Sequence, residues 1–112
     1  MKDSILFLIN SQPASPNAAR AFESALTLRA DGHPITLFLL QDAVLTGLKG
    51  EGSQAGMLMG HIQCKGISVY ALGEDLAMRG FTQTNLRDGI CIADYAQMVD
   101  LFETHTRVIG AL

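Results

Sequence analysis

The fold class follows from an unbroken apolar run near the start of the chain, Ile5-Leu6-Phe7-Leu8-Ile9. The run shows no alternation with polar residues, which indicates a strand that is buried on both faces, as in a parallel sheet. Residues 10–13 are polar or proline and end the strand. Ser15-Pro16 then predicts a helix start, with Ser as N-cap and Pro at the first helical position.

The same alternation of strand and helix continues to the end of the chain. Further apolar strands are predicted at residues 35–40, 67–72, 90–93 and 108–112, and helices at 41–48, 57–63, 73–79 and from residue 94 onward. Residues 50–56 are rich in glycine but lack the Gly-Lys-Ser/Thr of a phosphate-binding loop, so we expect a flexible surface loop there. Strands alternating with helices predict an α/β fold with a parallel sheet covered on both faces.

Composition narrows the class of protein. The chain has 112 residues, a net charge of −3, 48% apolar residues and 17% charged residues, which predicts one domain over residues 1–112 and excludes disorder. No cluster of Lys or Arg points to nucleic acid, and no apolar run is long enough to cross a membrane. Two cysteines do not make a disulfide framework, so we expect a cytoplasmic protein. The low charge predicts an apolar surface that another subunit covers.

In a parallel α/β sheet, ligands bind beyond the carboxyl ends of the strands. These ends carry Asn10, Gln41, Asp42, Glu74 and Asp75, with no His or Cys among them. We expect the carboxylates to stabilise the first turns of the helices that follow. The absence of a nucleophile and a base argues against an enzyme at this edge, and a small ligand held there is the alternative.

Cys64 is the candidate reactive residue. It lies next to Lys65, whose ammonium group favours a thiolate, although the simpler interpretation is a small apolar residue at an element boundary. Cys91 lies between two isoleucines, and we expect it to be buried and inert. The three histidines are scattered along the chain without a close pair, so we predict neither a metal site nor a cofactor.

Several segments resemble the DsrE/DsrF/DsrH family of small sulfur-relay proteins, which includes the Tus proteins of tRNA thiolation. Residues 69–80, Val-Tyr-Ala-Leu-Gly-Glu-Asp-Leu-Ala-Met-Arg-Gly, match the Tyr-Ala-Leu, Glu-Asp and Arg-Gly pattern of the DsrH branch. Residues 39–44, Leu-Leu-Gln-Asp-Ala-Val, resemble that branch's Leu-Leu-Gln-Asp-Gly-Val. Residues 30–33, Ala-Asp-Gly-His, are similar to the DsrE branch.

The resemblance implies a three-layer α/β/α sandwich with a five-stranded parallel sheet, assembled as homo- or hetero-oligomers such as trimers or hexamers. It also implies persulfide transfer between sulfur donor and acceptor proteins, with no metal or nucleotide. In the DsrE- and TusD-like members, the sulfur-carrying cysteine falls eight residues before the glycine of Arg-Gly. That position is Leu72 here, so the family cysteine transfers to no residue of this chain.

Two hypotheses follow. The first is an oligomeric, cytoplasmic protein of the sulfur-relay or sulfur-oxidation type, either an accessory subunit or a persulfide carrier that uses Cys64. The second is a non-catalytic oligomeric scaffold or a regulatory module that binds a small ligand. The missing cysteine at Leu72 leaves open whether the protein is an enzyme.

Overall fold

A five-stranded, all-parallel sheet forms the centre of the molecule, as predicted. The computed structural model of the protein describes residues 2–111. The strands are β1 (Ile5–Ile9), β2 (Ile35–Leu39), β3 (Ser68–Leu72), β4 (Cys91–Ala93) and β5 (Arg107–Ala111). They lie in the order β4-β3-β2-β1-β5. Leu112, which is part of the predicted last strand, lies outside the described residues.

Four α-helices connect the strands, with ranges α1 (Pro16–Ala30), α2 (Gln54–Cys64), α3 (Gly73–Met78) and α4 (Tyr95–Thr104). Short 3-10 helices occupy Gln41–Gly47 and Gln83–Asn85. The predicted start of α1 is confirmed, since the Ser15 hydroxyl accepts a hydrogen bond from the Asn17 amide and Pro16 is the first helical residue. The start of α4 is also confirmed, because Asp94 and Gln97 form a reciprocal capping box.

The glycine-rich segment is more ordered than its sequence predicts. Helix α2 begins before the expected Met57, because the Ser53 hydroxyl accepts a hydrogen bond of 3.0 Å from the Gly56 amide and caps the helix. A Cβ atom at Gly56 would lie 2.5 Å from the carbonyl oxygen of Glu51. Glycine is therefore needed there for a close backbone approach inside a helix, and the loop is shorter than residues 50–56.

Two apolar clusters fill the spaces on either side of the sheet. The larger lies under α1, α2 and α3, and its largest members are Ile5, Phe7, Ile9, Phe22, Leu37, Leu39, Met59, Ile62 and Leu76. The smaller consists of Leu6, Phe38, Leu72 and Ala93, with Met98, Leu101 and Phe102 of α4 packed against it. We call the side of the sheet that carries this smaller cluster the α4 face. The result is a sandwich of three layers.

Strand order explains why α4 lies alone on its face. The chain moves from β1 to β4 in one direction across the sheet and returns past β1 to β5 in the other direction. Parallel crossovers are right-handed, so reversing the direction moves the connecting helix to the opposite face. Among the described residues, no helix is both long enough and apolar enough to cross a membrane.

Candidate functional site

Polar side chains meet beyond the carboxyl ends of β1, β2 and β3, where the sequence predicts a site. The guanidinium group of Arg79, at the end of α3, donates to Oδ1 of Asp42 through Nη2 at 2.8 Å and Nε at 3.2 Å. Its Nη1 donates to the backbone oxygen of Asp75 at 2.9 Å. The Gln41 amide donates to Oδ2 of Asp75 at 2.6 Å, and Asn10 Nδ2 donates to Oε1 of Gln41 at 3.2 Å. We call these five residues the rim network.

The rim network joins α3 to the end of β2 rather than capping either helix. Asp42 and Asp75 do lie in the first turns of the helices that follow β2 and β3, as expected, but neither α3 nor the 3-10 helix at 41–47 has a side-chain cap. Asp75 instead reaches residue 41 and Arg79 reaches residue 42. These partners are more than thirty residues apart in the sequence, which is why local pattern did not indicate them.

Gln41 has an unusual backbone conformation in this network. Its φ angle is 52°, and among the described residues it is the one non-glycine residue with a positive φ. The left-handed conformation costs a non-glycine residue roughly 1–2 kcal/mol, and such residues persist only when their surroundings hold them. The charged hydrogen bond from the Gln41 amide to Asp75 supplies part of that restraint.

The chemistry that the rim network offers is limited by its internal pairing. The Asp42 and Arg79 side chains are bound to each other, and Asp75 is bound to a backbone amide. The network contains two carboxylates and no thiol, hydroxyl or imidazole. The arrangement holds α3 to the segment that follows β2.

Leu72 lies next to the rim network but points into the apolar core. It is the last residue of β3, is followed at once by α3, and has only 1% of its surface exposed. Its neighbours in the smaller cluster are Leu6, Phe38 and Ala93. A side chain at this position faces the apolar interior of the α4 face and is closed to a partner protein.

Cys64 lies at the opposite end of the strands from the rim network. It is the last residue of α2 and precedes β3 by four residues, so it is near the amino ends of the strands, away from the rim network. The thiol is free and exposed. Lys65 supplies a positive charge beside it, while the carboxyl end of α2 contributes a partial negative charge on the same side.

Cys91 is exposed, so the expectation of a buried thiol is wrong. It begins β4, a three-residue strand at the edge of the sheet, and is in register with Tyr70 of β3. An edge strand has a neighbour on one side only, which leaves its residues open to solvent. The pairing places the Cys91 side chain on the α4 face, since Tyr70 packs against the smaller cluster.

Histidines do not build a metal site in the described part of the chain, where no group of three metal-ligating side chains occurs. His105 bridges two elements: its Nδ1 donates to the Leu101 oxygen at 2.8 Å, and its Nε2 accepts from the Thr36 hydroxyl at 2.8 Å. His33 Nδ1 donates to the Asp3 oxygen at 2.9 Å. These two histidines are structural, and His61 is exposed on α2.

Comparisons with known proteins agree with this architecture. A family model described as DsrH like protein matches residues 14–108. A crystal structure of the ychN protein from E. coli superposes with a TM-score of 0.88 at 23% identity, covering 98% of this chain and 99% of that chain. The protein of unknown function MTH1491 from Methanobacterium thermoautotrophicum gives 0.82 at 15% identity, with 97% and 99% covered. These likenesses establish the fold, and no curated protein matches.

Proposed function

We propose that this chain, which belongs to the DsrH-like protein family, is a single-domain, cytoplasmic accessory subunit of a sulfur relay. In this role it acts through contact with other subunits and with sulfur donor or acceptor proteins, and it carries no sulfur itself. The family match supports a function related to sulfur relay. The burial of Leu72 supports the narrower proposal that the protein carries no sulfur itself.

The argument from Leu72 is one of access. A sulfur carrier must present a thiolate to the persulfide of a donor protein. The position that resembles the family's sulfur-carrying site holds a leucine, and that side chain is 99% buried among apolar neighbours. Met98, Leu101 and Phe102 of α4 pack against the cluster that contains it. The site is therefore both without a thiol and closed to a partner.

Subunit contact is supported by the incomplete cover of the α4 face. Five strands spaced roughly 4.8 Å apart span about 24 Å, whereas one helix with its side chains is about 10 Å wide. None of the ten residues of α4 is fully buried. Tyr95 and Val99 of α4 and Val108 of β5 are each close to half exposed. A second subunit, of this chain or a related one, covers this surface in the proposed trimer or hexamer.

Sedimentation velocity tests the assembly. We expect the wild-type protein to sediment as a trimer or hexamer and the Val99→Asp variant to sediment as a smaller species, because burying a carboxylate in an apolar contact is unfavourable. The control is Met57→Asp, which places the same charge at an exposed apolar residue of α2 on the opposite face. Equal assembly of both variants would contradict the proposed surface, and a wild-type monomer would contradict the homo-oligomer.

The second candidate function is sulfur transfer through Cys64, and its free, exposed thiol is the observation that favours it. The Cys64 thiolate would attack the terminal sulfur of a donor persulfide, breaking the donor's S–S bond. The donor leaves as a thiolate and Cys64 becomes the persulfide, so one sulfur atom moves without net oxidation or reduction.

Intact-protein mass spectrometry separates the two candidates. The protein is incubated with a cysteine desulfurase and free cysteine, and the mass is measured without reductant. The accessory role predicts no added sulfur on the wild-type protein. A gain of one sulfur atom that is lost in Cys64→Ser and kept in Cys91→Ser would overturn the accessory role and establish Cys64 as a carrier.

The remaining alternative is a regulatory module that holds a small ligand at the strand ends. The rim network gives little support to ligand binding, because its charged groups already bind one another or a backbone amide.

A further inference from the structure

A concave surface lies on the side of the molecule away from the rim network. It is a cavity of about 530 Å³ between the carboxyl end of α1 and the carboxyl half of α2. Leu26 and Leu58 form apolar walls, and both pack against the larger apolar cluster. Its lining residues are Leu26, Arg29, Ala30, Gly32, Leu58, His61 and Lys65. The polar groups among them are basic, and no carboxylate lines the cavity.

The positive charge of the side chains at this cavity exceeds the partial negative charge of the two helix ends beside it. Each helix carboxyl end carries a partial charge of roughly −0.5, so α1 and α2 together contribute about −1. Arg29 and Lys65 contribute two full positive charges. Asp31, at the end of α1, does not line the cavity. The residues that line the cavity therefore carry a net positive charge, in a protein whose net charge is −3.

Arg29 is held in place for a further contact. Its Nε donates to the Lys65 oxygen at 3.0 Å and its Nη1 to the His33 oxygen at 3.4 Å. These bonds fix the half-buried guanidinium group at the junction of the two helices. Within residues 2–111, Nη2 makes no hydrogen bond, and the single salt bridge joins Arg79 to Asp42, so Arg29 has no counter-ion.

We propose that this cavity binds a small organic carboxylate with an apolar body. The volume is in the range of small-molecule sites. The apolar body contacts Leu26 and Leu58, and the carboxylate contacts Arg29, His61 and Lys65. A neutral apolar ligand would leave the positive charge unpaired, and an inorganic anion would leave the apolar walls in water. The proposal does not depend on sulfur transfer, since Cys64 does not line the cavity.

Isothermal titration calorimetry with octanoate tests the site, and 1-octanol serves as the neutral ligand of the same chain length. We expect octanoate to bind more tightly than octanol and to bind less tightly as NaCl is added. Lys65→Glu should weaken octanoate binding about tenfold, because one attractive charge becomes repulsive. Lys65 is exposed and contributes only its backbone to Arg29, so the variant should fold.

The matched control is Lys49→Glu, which changes the same charge at an exposed lysine that borders a different, polar concavity with Arg87. This variant should bind octanoate within about twofold of wild type. Equal effects of the two substitutions would overturn the proposal, since they would show attraction to overall charge alone. Equal affinity for octanol and octanoate, or no octanoate binding below its micelle concentration, would also overturn it.

Discussion

Replacing Asp75 with alanine removes the carboxylate that holds the left-handed backbone of Gln41. The Asp75 Oδ2 accepts the Gln41 amide at 2.6 Å and connects α3 to the end of β2. A hydrogen bond to a charged group contributes about 1.5–3 kcal/mol. Because Gln41 is exposed and Asp75 is half-buried, the lower end applies. We expect Asp75→Ala to lower the free energy of unfolding by about 1.5 kcal/mol.

Thermal and urea unfolding followed by circular dichroism measure this change. For a chain of this length, 1.5 kcal/mol corresponds to a fall in Tm of about 6 °C. Asp75→Asn keeps an oxygen acceptor without the charge, so it should cost about half as much. All variants are compared at one protein concentration, because assembly adds concentration-dependent stability.

Glu74→Ala is the control for Asp75→Ala. Glu74 precedes Asp75 in the first turn of α3 and is exposed, and no side-chain cap is present in this helix. Its removal should change the free energy of unfolding by less than about 0.5 kcal/mol. Equal destabilisation by Glu74→Ala and Asp75→Ala would refute the reasoning, since both would then act only through the field of the helix.

Three further predictions concern access and capping. In the wild-type protein, Cys64 should react with Ellman's reagent without denaturant, since it is a free, exposed cysteine at the end of α2, away from the α4 face; protection of Cys64 would contradict its placement. Leu72→Cys in a background lacking both cysteines should react only after unfolding, because the position is buried; rapid labelling of the folded variant would show that the site is open. Asp94→Ala should cost about 1 kcal/mol through loss of the α4 capping box, whereas Asp100→Ala, at an exposed position later in α4, should have little effect in the same urea titration.

The strands were predictable because each depends on a short apolar run. Residues 5–9 form β1 as predicted, and the predicted ranges of β2 and β3 extend one residue beyond the observed strands. Helix starts were predictable where a cap lies within three residues, as at Ser15 and Asp94. In both cases the decisive interaction is local.

The exposure of Cys91 and the pairing of side chains in the rim network depend on strand order, which a local sequence pattern does not contain. Ile90-Cys91-Ile92 has the composition of a central strand, yet β4 lies at the edge of the sheet. Asp42 and Asp75 follow strands and precede helices, a position typical of caps. Only the neighbouring placement of β2 and β3 brings Arg79 to Asp42 and Asp75 to Gln41.

Position 72 is closed on the α4 face, and α4 is the helix that closes it. The Leu72 side chain lies in the smaller cluster, against which Met98, Leu101 and Phe102 of α4 pack. Leu76 of α3 belongs to the larger cluster on the other side of the sheet, so the rim network does not cover Leu72. Exposing Leu72 would require α4 to move and would lose about 2 kcal/mol of leucine burial, which alone keeps the open form below about 4% of molecules. A cysteine introduced at residue 72 would therefore remain a poor sulfur acceptor while α4 is in place, and weakening the rim network by Asp75→Ala should not open it.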